Sequence, residues 1–126
     1  MRIVEEGGDE STPVLMLDAS LDLRDVNFKL VEELSRLEPF GYGNPEPLFG
    51  TRELQVLNSR VVGRNHLKMT LKSQNVTVDS IGYGMGHRLP ELQDTYAIDV
   101  AFAPTINEWG NKRSIQLNLK SFRPTT

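Results

Sequence analysis

The sequence predicts a mainly β domain: a five-stranded barrel with one helix ahead of it and a short helix between its third and fourth strands. Three observations carry that prediction. Apolar residues recur at helical spacing as far as Leu37, and at twofold spacing from residue 53 onward. Between the two periods lies Leu37-Glu38-Pro39-Phe40-Gly41-Tyr42-Gly43-Asn44-Pro45-Glu46-Pro47. Proline fixes φ and glycine admits φ > 0, so this run forces an ordered turn and resets the chain. Finally, 126 residues make one domain with a modest core.

In chain order, residues 1–12 read as a polar lead-in, and residues 13–18 as a short apolar strand, Pro13-Val14-Leu15-Met16-Leu17-Asp18. Residues 1–21 form a unit that belongs either to this domain or to a preceding one. Residues 22–50 then hold the helix and the Pro/Gly-rich joint. Asp22 or Asp25 serves as the helix cap, and Val26, Leu30, Val31, Leu34 and Leu37 share its apolar face. Pro39 disfavours helical backbone at Glu38 and ends the helix there.

Residues 51–126 form the barrel. Its first strand covers 53–62, and Gly63-Arg64-Asn65 turns the chain. The second strand, 66–72, alternates: Leu67, Met69 and Leu71 face inward, and His66, Lys68, Thr70 and Lys72 outward. A turn at Ser73-Gln74-Asn75 leads to the third strand, 76–83, and Leu89 begins a short helix ending at Gln93. The fourth strand covers 97–106, with Ile98, Val100 and Phe102 on one face. A loop at 107–111 leads to the fifth, 112–122, with Ile115, Leu117 and Leu119 inward. Three strands, a short helix and two strands is the order of an OB-fold barrel. A small open sheet packed on the helix would show the same alternation.

Composition excludes several chemistries. There are no cysteines, so no disulfide, thiolate metal site or cysteine nucleophile exists. His66 and His87 stand apart and match no metal-ligand spacing, and the carboxylates of residues 51–126 are scattered. No apolar run is long enough for a membrane span and no leader pattern follows Met1. A cytoplasmic location without membrane contact is therefore expected. Charge is divided between the halves. Residues 1–50 carry four basic and eleven acidic groups, a net of −7; residues 51–126 carry ten and six, a net of +4. That asymmetry fits a second half facing a polyanion, or a chance distribution over a solvated surface.

An OB barrel binds oligonucleotides across strands two and three, between the loops joining strands one to two and four to five. Single-strand binding requires cations to track phosphates and aromatic planes for bases to stack upon. The candidate contacts are thus Arg64, Asn65, His66, Lys68, Lys72, Tyr83, Trp109, Lys112 and Arg113. Structural alternatives stand beside them: His66 on an exposed face without a ligand, Trp109 folded back to seal a barrel end, and outward lysines that only protect an edge. Arg60, Arg88 and Arg123 are candidates for ion pairs with the acidic first half, and Phe40 and Tyr42 for packing the helix on the barrel. Gly82-Tyr83-Gly84-Met85-Gly86 is either a phosphate-cradling loop or a barrel corner needing backbone freedom.

The joint at Leu37–Pro47 carries a further signal, together with Val61-Val62-Gly63-Arg64-Asn65-His66-Leu67-Lys68-Met69-Thr70-Leu71, Ile81-Gly82-Tyr83-Gly84, Ile106-Asn107-Glu108-Trp109 and Ser114-Ile115-Gln116-Leu117. Over residues 18–124 the chain resembles the C-terminal OB domain of the RecJ family of bacterial single-strand-specific DNA exonucleases, which is similar to other DHH phosphoesterases. The resemblance implies a single-stranded-DNA-binding accessory domain of a 5′–3′ exonuclease used in DNA repair and recombination. It implies a divalent metal in the parent enzyme's catalytic core. No Asp-His-His occurs in this chain, so the domain is expected to lack nuclease activity and a cofactor of its own. Implied partners are single-stranded DNA, the nuclease core of the parent chain and a single-strand-binding protein. The alternative is an interaction module, working through the acidic helix and the Phe40/Tyr42 turn, that braces the core and touches DNA incidentally. A small-ligand site at residues 82–86 is a third reading.

Overall fold

The computed structural model describes residues 3–5 and 15–126. The expected lead-in lies largely outside them, apart from β1 (Ile3–Glu5), which pairs antiparallel with β2 (Leu15–Leu17). Then come β3 (Ala19–Ser20), a 3-10 turn at Leu23–Asp25, α1 (Phe28–Ser35), β4 (Phe49–Val62), β5 (His66–Ser73) and β6 (Val76–Gly82). A 3-10 helix at Gly86–Leu92 precedes β7 (Ala97–Trp109) and β8 (Lys112–Pro124).

The barrel is β4–β5–β6–β8–β7, closed by β7 pairing back onto β4. All neighbours are antiparallel except β6 and β8, which run parallel. This is the five-stranded OB arrangement, with its short helix between the third and fourth barrel strands. Closure follows from the length of β4. Its first half pairs with β7, from Phe49↔Phe102 to Gln55↔Ala97, and its second with β5, from Gln55↔Lys72 to Val62↔His66. A register shift between Thr51 and Leu54 bends the strand, and Glu53 there adopts φ 60°. Left-handed backbone is unfavourable for a residue with a Cβ. The Asp99 carboxylate holds it, accepting from the Glu53 N–H at 3.0 Å and the Thr125 hydroxyl at 2.7 Å, with the Arg123 guanidinium at 3.3 Å.

The alternation read from sequence becomes the core: Leu54, Leu67, Met69, Leu71, Ile98, Phe102 and Leu117 are fully enclosed. Ser80 is also enclosed; its hydroxyl donates to the Met69 carbonyl at 3.1 Å, so no polar group is stranded there. Arg88 pins the 3-10 helix on the barrel end. Its guanidinium stacks 3.8 Å from the Phe122 ring centroid, donates to the Phe122 carbonyl and pairs with Glu91.

Local expectations change where tertiary contacts intervene. Neither Asp22 nor Asp25 caps α1. Leu23 and Val26 are drawn into the core by the 3-10 turn, which delays the helix, and Asn27 caps it by accepting from the Leu30 N–H at 2.9 Å. Leu37 lies beyond the helix and is half exposed. Strands β4, β7 and β8 extend past their expected bounds: β4 begins at Phe49 because it pairs there with Phe102 of β7, and the β7–β8 ladder runs from Ile98↔Pro124 to Trp109↔Lys112. The loop shrinks to a two-residue turn with Gly110 at φ 62°, the sign a II′ turn needs at its first central position.

The joint is a rigid turn. Gly41 and Asn44 exchange backbone hydrogen bonds of 2.8 and 2.9 Å, and the Asn44 amide donates to the Leu37 and Pro39 carbonyls. Gly43 at φ 86° takes the position a type II turn reserves for glycine. Phe40 faces the hollow between α1 and β7 beside Val31, Leu34 and Ile106, as expected. Tyr42 does not pack on the barrel; it sits at the turn's tip, entirely in solvent.

Leu117→Ala is expected to destabilise the domain by about 2–5 kcal/mol, and Asn27→Ala by about 1 kcal/mol, in urea denaturation. Burial raises the Asp99 carboxyl, but the hydrogen bonds from Thr125, the Glu53 amide and Arg123 outweigh it and hold the group below the usual carboxylate range. A carboxylate lowered by folding stabilises above its unfolded pKa, and that contribution fades as pH falls through the folded value. The stability gap between wild type and Asp99→Asn is therefore expected to be full at neutral pH and to narrow in acid. A gap independent of pH would contradict this role.

Candidate nucleic-acid interface

The outer face of β4, β5, β6 and β8 is set by ladder register. Opposite Lys68 on β5 stand Arg60 on β4 and Ile81 on β6, and opposite Ile81 stands Asn118 on β8. The next row along is Asn58, Thr70, Asp79 and Gln116; beyond it Gln55, Lys72 and Thr77 align. Val62, His66 and then Tyr83 close the other end.

Arg60 and Lys68 are directly opposed like charges, an arrangement that is destabilising in a sheet. Among the described residues neither makes an ion pair, and the same holds for Arg64, Lys72 and Lys112. The column is therefore left without a carboxylate partner among the described residues. Arg60, Arg88 and Arg123 were candidates for ion pairs with the acidic first half, and none of the described ion pairs joins them to it. Instead Arg88 pairs with Glu91 and Arg123 with Asp99, both close in the barrel itself. Sequence reasoning misses Arg60 as a contact because its outward direction depends on a bulge between Val56 and Asn58.

At the β4–β5 turn, two candidates, Asn65 and His66, are spent on structure. The Gly84 N–H donates to His66 Nδ1 at 3.1 Å, so the neutral imidazole carries its proton on Nε2. The Asn65 amide donates to the Gly84 carbonyl at 3.1 Å, and the Gly86 N–H to the Asn65 carbonyl at 3.1 Å. His66 meets the Tyr83 ring edge-on, centroids 5.2 Å apart. The clasp leaves Tyr83 57% exposed as a braced aromatic plane and Arg64 free at the turn. It also removes the phosphate-cradle reading of residues 82–86. The amides of Gly84, Met85 and Gly86 already donate to His66, Gly82 and Asn65, and the backbone freedom serves the corner, with Gly84 at φ 74°.

The remaining candidates lie at the opposite end. β8 runs parallel to β6, so its start lies beside the start of β6, away from Tyr83. Seven residues of β6 at about 3.3 Å each separate the two groups by about 20 Å. Trp109 is 82% exposed at the hairpin tip and does not seal the barrel. Lys112 stands opposite it and is exposed. Arg113 is engaged: it pairs with Glu108 at 3.2 Å and Glu32 at 3.5 Å, and lies 5.2 Å from the Phe28 ring centroid, tying α1 to the hairpin. Arg64, Lys68, Lys72 and Tyr83 thus share one face, Trp109 and Lys112 bound its far end, and Asn65, His66 and Arg113 support it.

Among the described residues no three His, Asp or Glu side chains come together to hold a metal ion, and no helix is long and apolar enough to cross a membrane.

Comparison with known proteins agrees with the fold and its order. The RecJ OB domain family matches residues 17–121. The chain is 34% identical over 116 residues to a single-stranded-DNA-specific exonuclease RecJ of Haemophilus influenzae, covering 88% of this chain and 20% of that protein. It is 27% identical over 114 residues to the RecJ of Bacillus subtilis, covering 89% and 14%. Among solved structures, it is similar to RecJ from Thermus thermophilus in complex with Mn2+, with a TM-score of 0.60 and 27% identity, over 78% of this chain and 14% of that one. The chain therefore spans about a seventh to a fifth of the relatives it matches.

A Cβ on Gly86 would lie 2.7 Å from Asn65 Oδ1 and 3.0 Å from its backbone. Gly86→Ala is accordingly expected to cost about 1–3 kcal/mol through overpacking, and to speed hydrogen exchange at the Gly84 amide by parting the clasp. Unchanged exchange there would show that the two loops are not coupled.

Proposed function

The chain belongs to the RecJ OB domain family, and from that premise we propose that it binds single-stranded DNA along the face of β4 and β5, largely independently of sequence. The observation that supports this most directly is the Arg60–Lys68 pair: two opposed cations, with Lys72 further along, that no carboxylate among the described residues neutralises. Phosphates supply the missing anions, and Tyr83 and Trp109 supply exposed planes on which bases stack, each worth about 1–3 kcal/mol. In the intact parent protein the domain retains the strand for a metal-dependent 5′–3′ nuclease core acting in cytoplasmic DNA repair and recombination. The domain alone is without nuclease activity. A single-strand-binding protein is a further partner of the parent.

One observation favours a second role beside the first. The hollow between α1 and β7, about 240 Å³, is lined by Val31, Leu34, Phe40 and Ile106 and edged by Glu38 and Glu46. An apolar hollow edged by these two carboxylates suits contact with the rest of the parent protein.

Titration of a labelled single-stranded oligonucleotide is expected to show binding at low salt that weakens steeply as salt rises. Arg60→Ala and Lys68→Ala should each weaken it and lower the magnitude of the log–log salt slope by about 0.7. Arg113→Ala should weaken it less, since its guanidinium is already engaged. Absence of binding at low salt, or preference for duplex, would sink the proposal.

A further inference from the structure

The outer face is divided lengthwise by chemistry. Its cations stand on β4, β5 and the turn between them: Arg60, Arg64, Lys68 and Lys72. The adjoining column on β6 reads Tyr83, Ile81, Asp79 and Thr77, and β8 follows with Asn118 and Gln116. No cation stands among these six. An exposed carboxylate in the middle of a face that takes a polyanion repels phosphates, yet accepts hydrogen bonds from any N–H brought to it.

Asp79 is also on the wall of a hollow. Between the N-terminal segment and the β6–β8 ladder a concavity of about 380 Å³ opens to solvent. Val26 and Val76 are among its apolar lining, the partly exposed Phe28 ring is an aromatic one, and Thr77, Asp79 and Ser114 are polar ones. Arg113 also lines it, its guanidinium 5.2 Å from the Phe28 ring centroid and already paired with Glu32 and Glu108. Asp79 Oδ1 accepts from the Thr70 hydroxyl at 3.3 Å, and Oδ2 has no partner among the described residues. An aromatic wall beside an unengaged carboxylate oxygen suits a flat ring bearing an exocyclic amino group. A ring presenting a carbonyl at the same place would set two acceptors against each other.

Resting on the single-stranded-DNA reading above, we propose that the strand lies with its phosphates toward the β4–β5 cations and seats one base in the hollow of Phe28, Asp79 and Ser114, where Asp79 selects bases with an amino group. Cytosine N4 donates to the carboxylate; uracil and thymine present O4 there instead. The part of the Phe28 ring that Arg113 leaves open packs on either ring, because every base has a π-face. The selection is modest and superimposed on sequence-independent phosphate binding.

The test compares short oligo(dC) with oligo(dU), two pyrimidines of nearly equal size, by fluorescence anisotropy at low salt and near-neutral pH. One hydrogen bond corresponds to a preference of about 2- to 12-fold for oligo(dC). Asp79→Ala, at an exposed position, should abolish the preference while leaving oligo(dU) bound at least as tightly. Phe28→Ala should weaken both oligonucleotides and keep their ratio. Equal binding of the two by the wild type, or a preference that survives Asp79→Ala, would overturn the inference and leave DNA binding standing. Failure of the wild type to bind either oligonucleotide would overturn both.

Discussion

Strand β4 hydrogen-bonds to β7 along its first half and to β5 along its second, and a strand can do both only if its backbone bends between the two registers. The bend falls at Glu53, in left-handed backbone, and the Asp99 carboxylate on β7 takes up the amide that the bend displaces from the ladder. Because Asp99 also collects Thr125 and Arg123, the end of the last strand is tied to the same point. The closed ring then encloses Leu54, Leu67, Ile98 and Leu117 without leaving a free edge.

Closure decides the geometry of the candidate interface. The parallel pairing of β6 with β8 sends the β7–β8 hairpin to one end of the face and the β4–β5 turn to the other. What lies between is the outer surface of β5, half-shielded by its neighbours, where register alone sets Lys68 against Arg60. Like charges persist there because the core-facing half of β5 is committed to Leu67, Met69 and Leu71. The barrel's stability does not require the outer half to be electrostatically neutral.

Among the described residues no ion pair joins the acidic first half of the chain to this column. Its described ion pairs reach the barrel through Glu32 to Arg113 and Glu46 to Lys120, both on β8. Along the sequence, net charge changes sign between residues 1–50 and residues 51–126. The joint at residues 37–47 marks the boundary: its turn is locked by Asn44, and Phe40 is the side chain it commits to the α1 side of the barrel.

Much of this was legible in the sequence, since strand alternation and the helix-to-strand change of period are local consequences of which residues must be buried. The five barrel strands, their order, and the outward placement of Lys68, Lys72 and Tyr83 all follow from that. Contacts between elements were not legible, since no local pattern encodes them. Asn65 and His66 look like binding residues in a polar turn, yet folding brings Gly84 to them. Arg113 looks like a free cation until α1 delivers Glu32 and Phe28. Arg60 and Asp79 looked ordinary until one bulge and one parallel pairing set them on the shared face. The sequence by itself determined which side of each strand is dry. Only the tertiary structure decided which polar groups on the wet side are already satisfied, because a hydrogen bond or ion pair between distant segments depends on barrel closure.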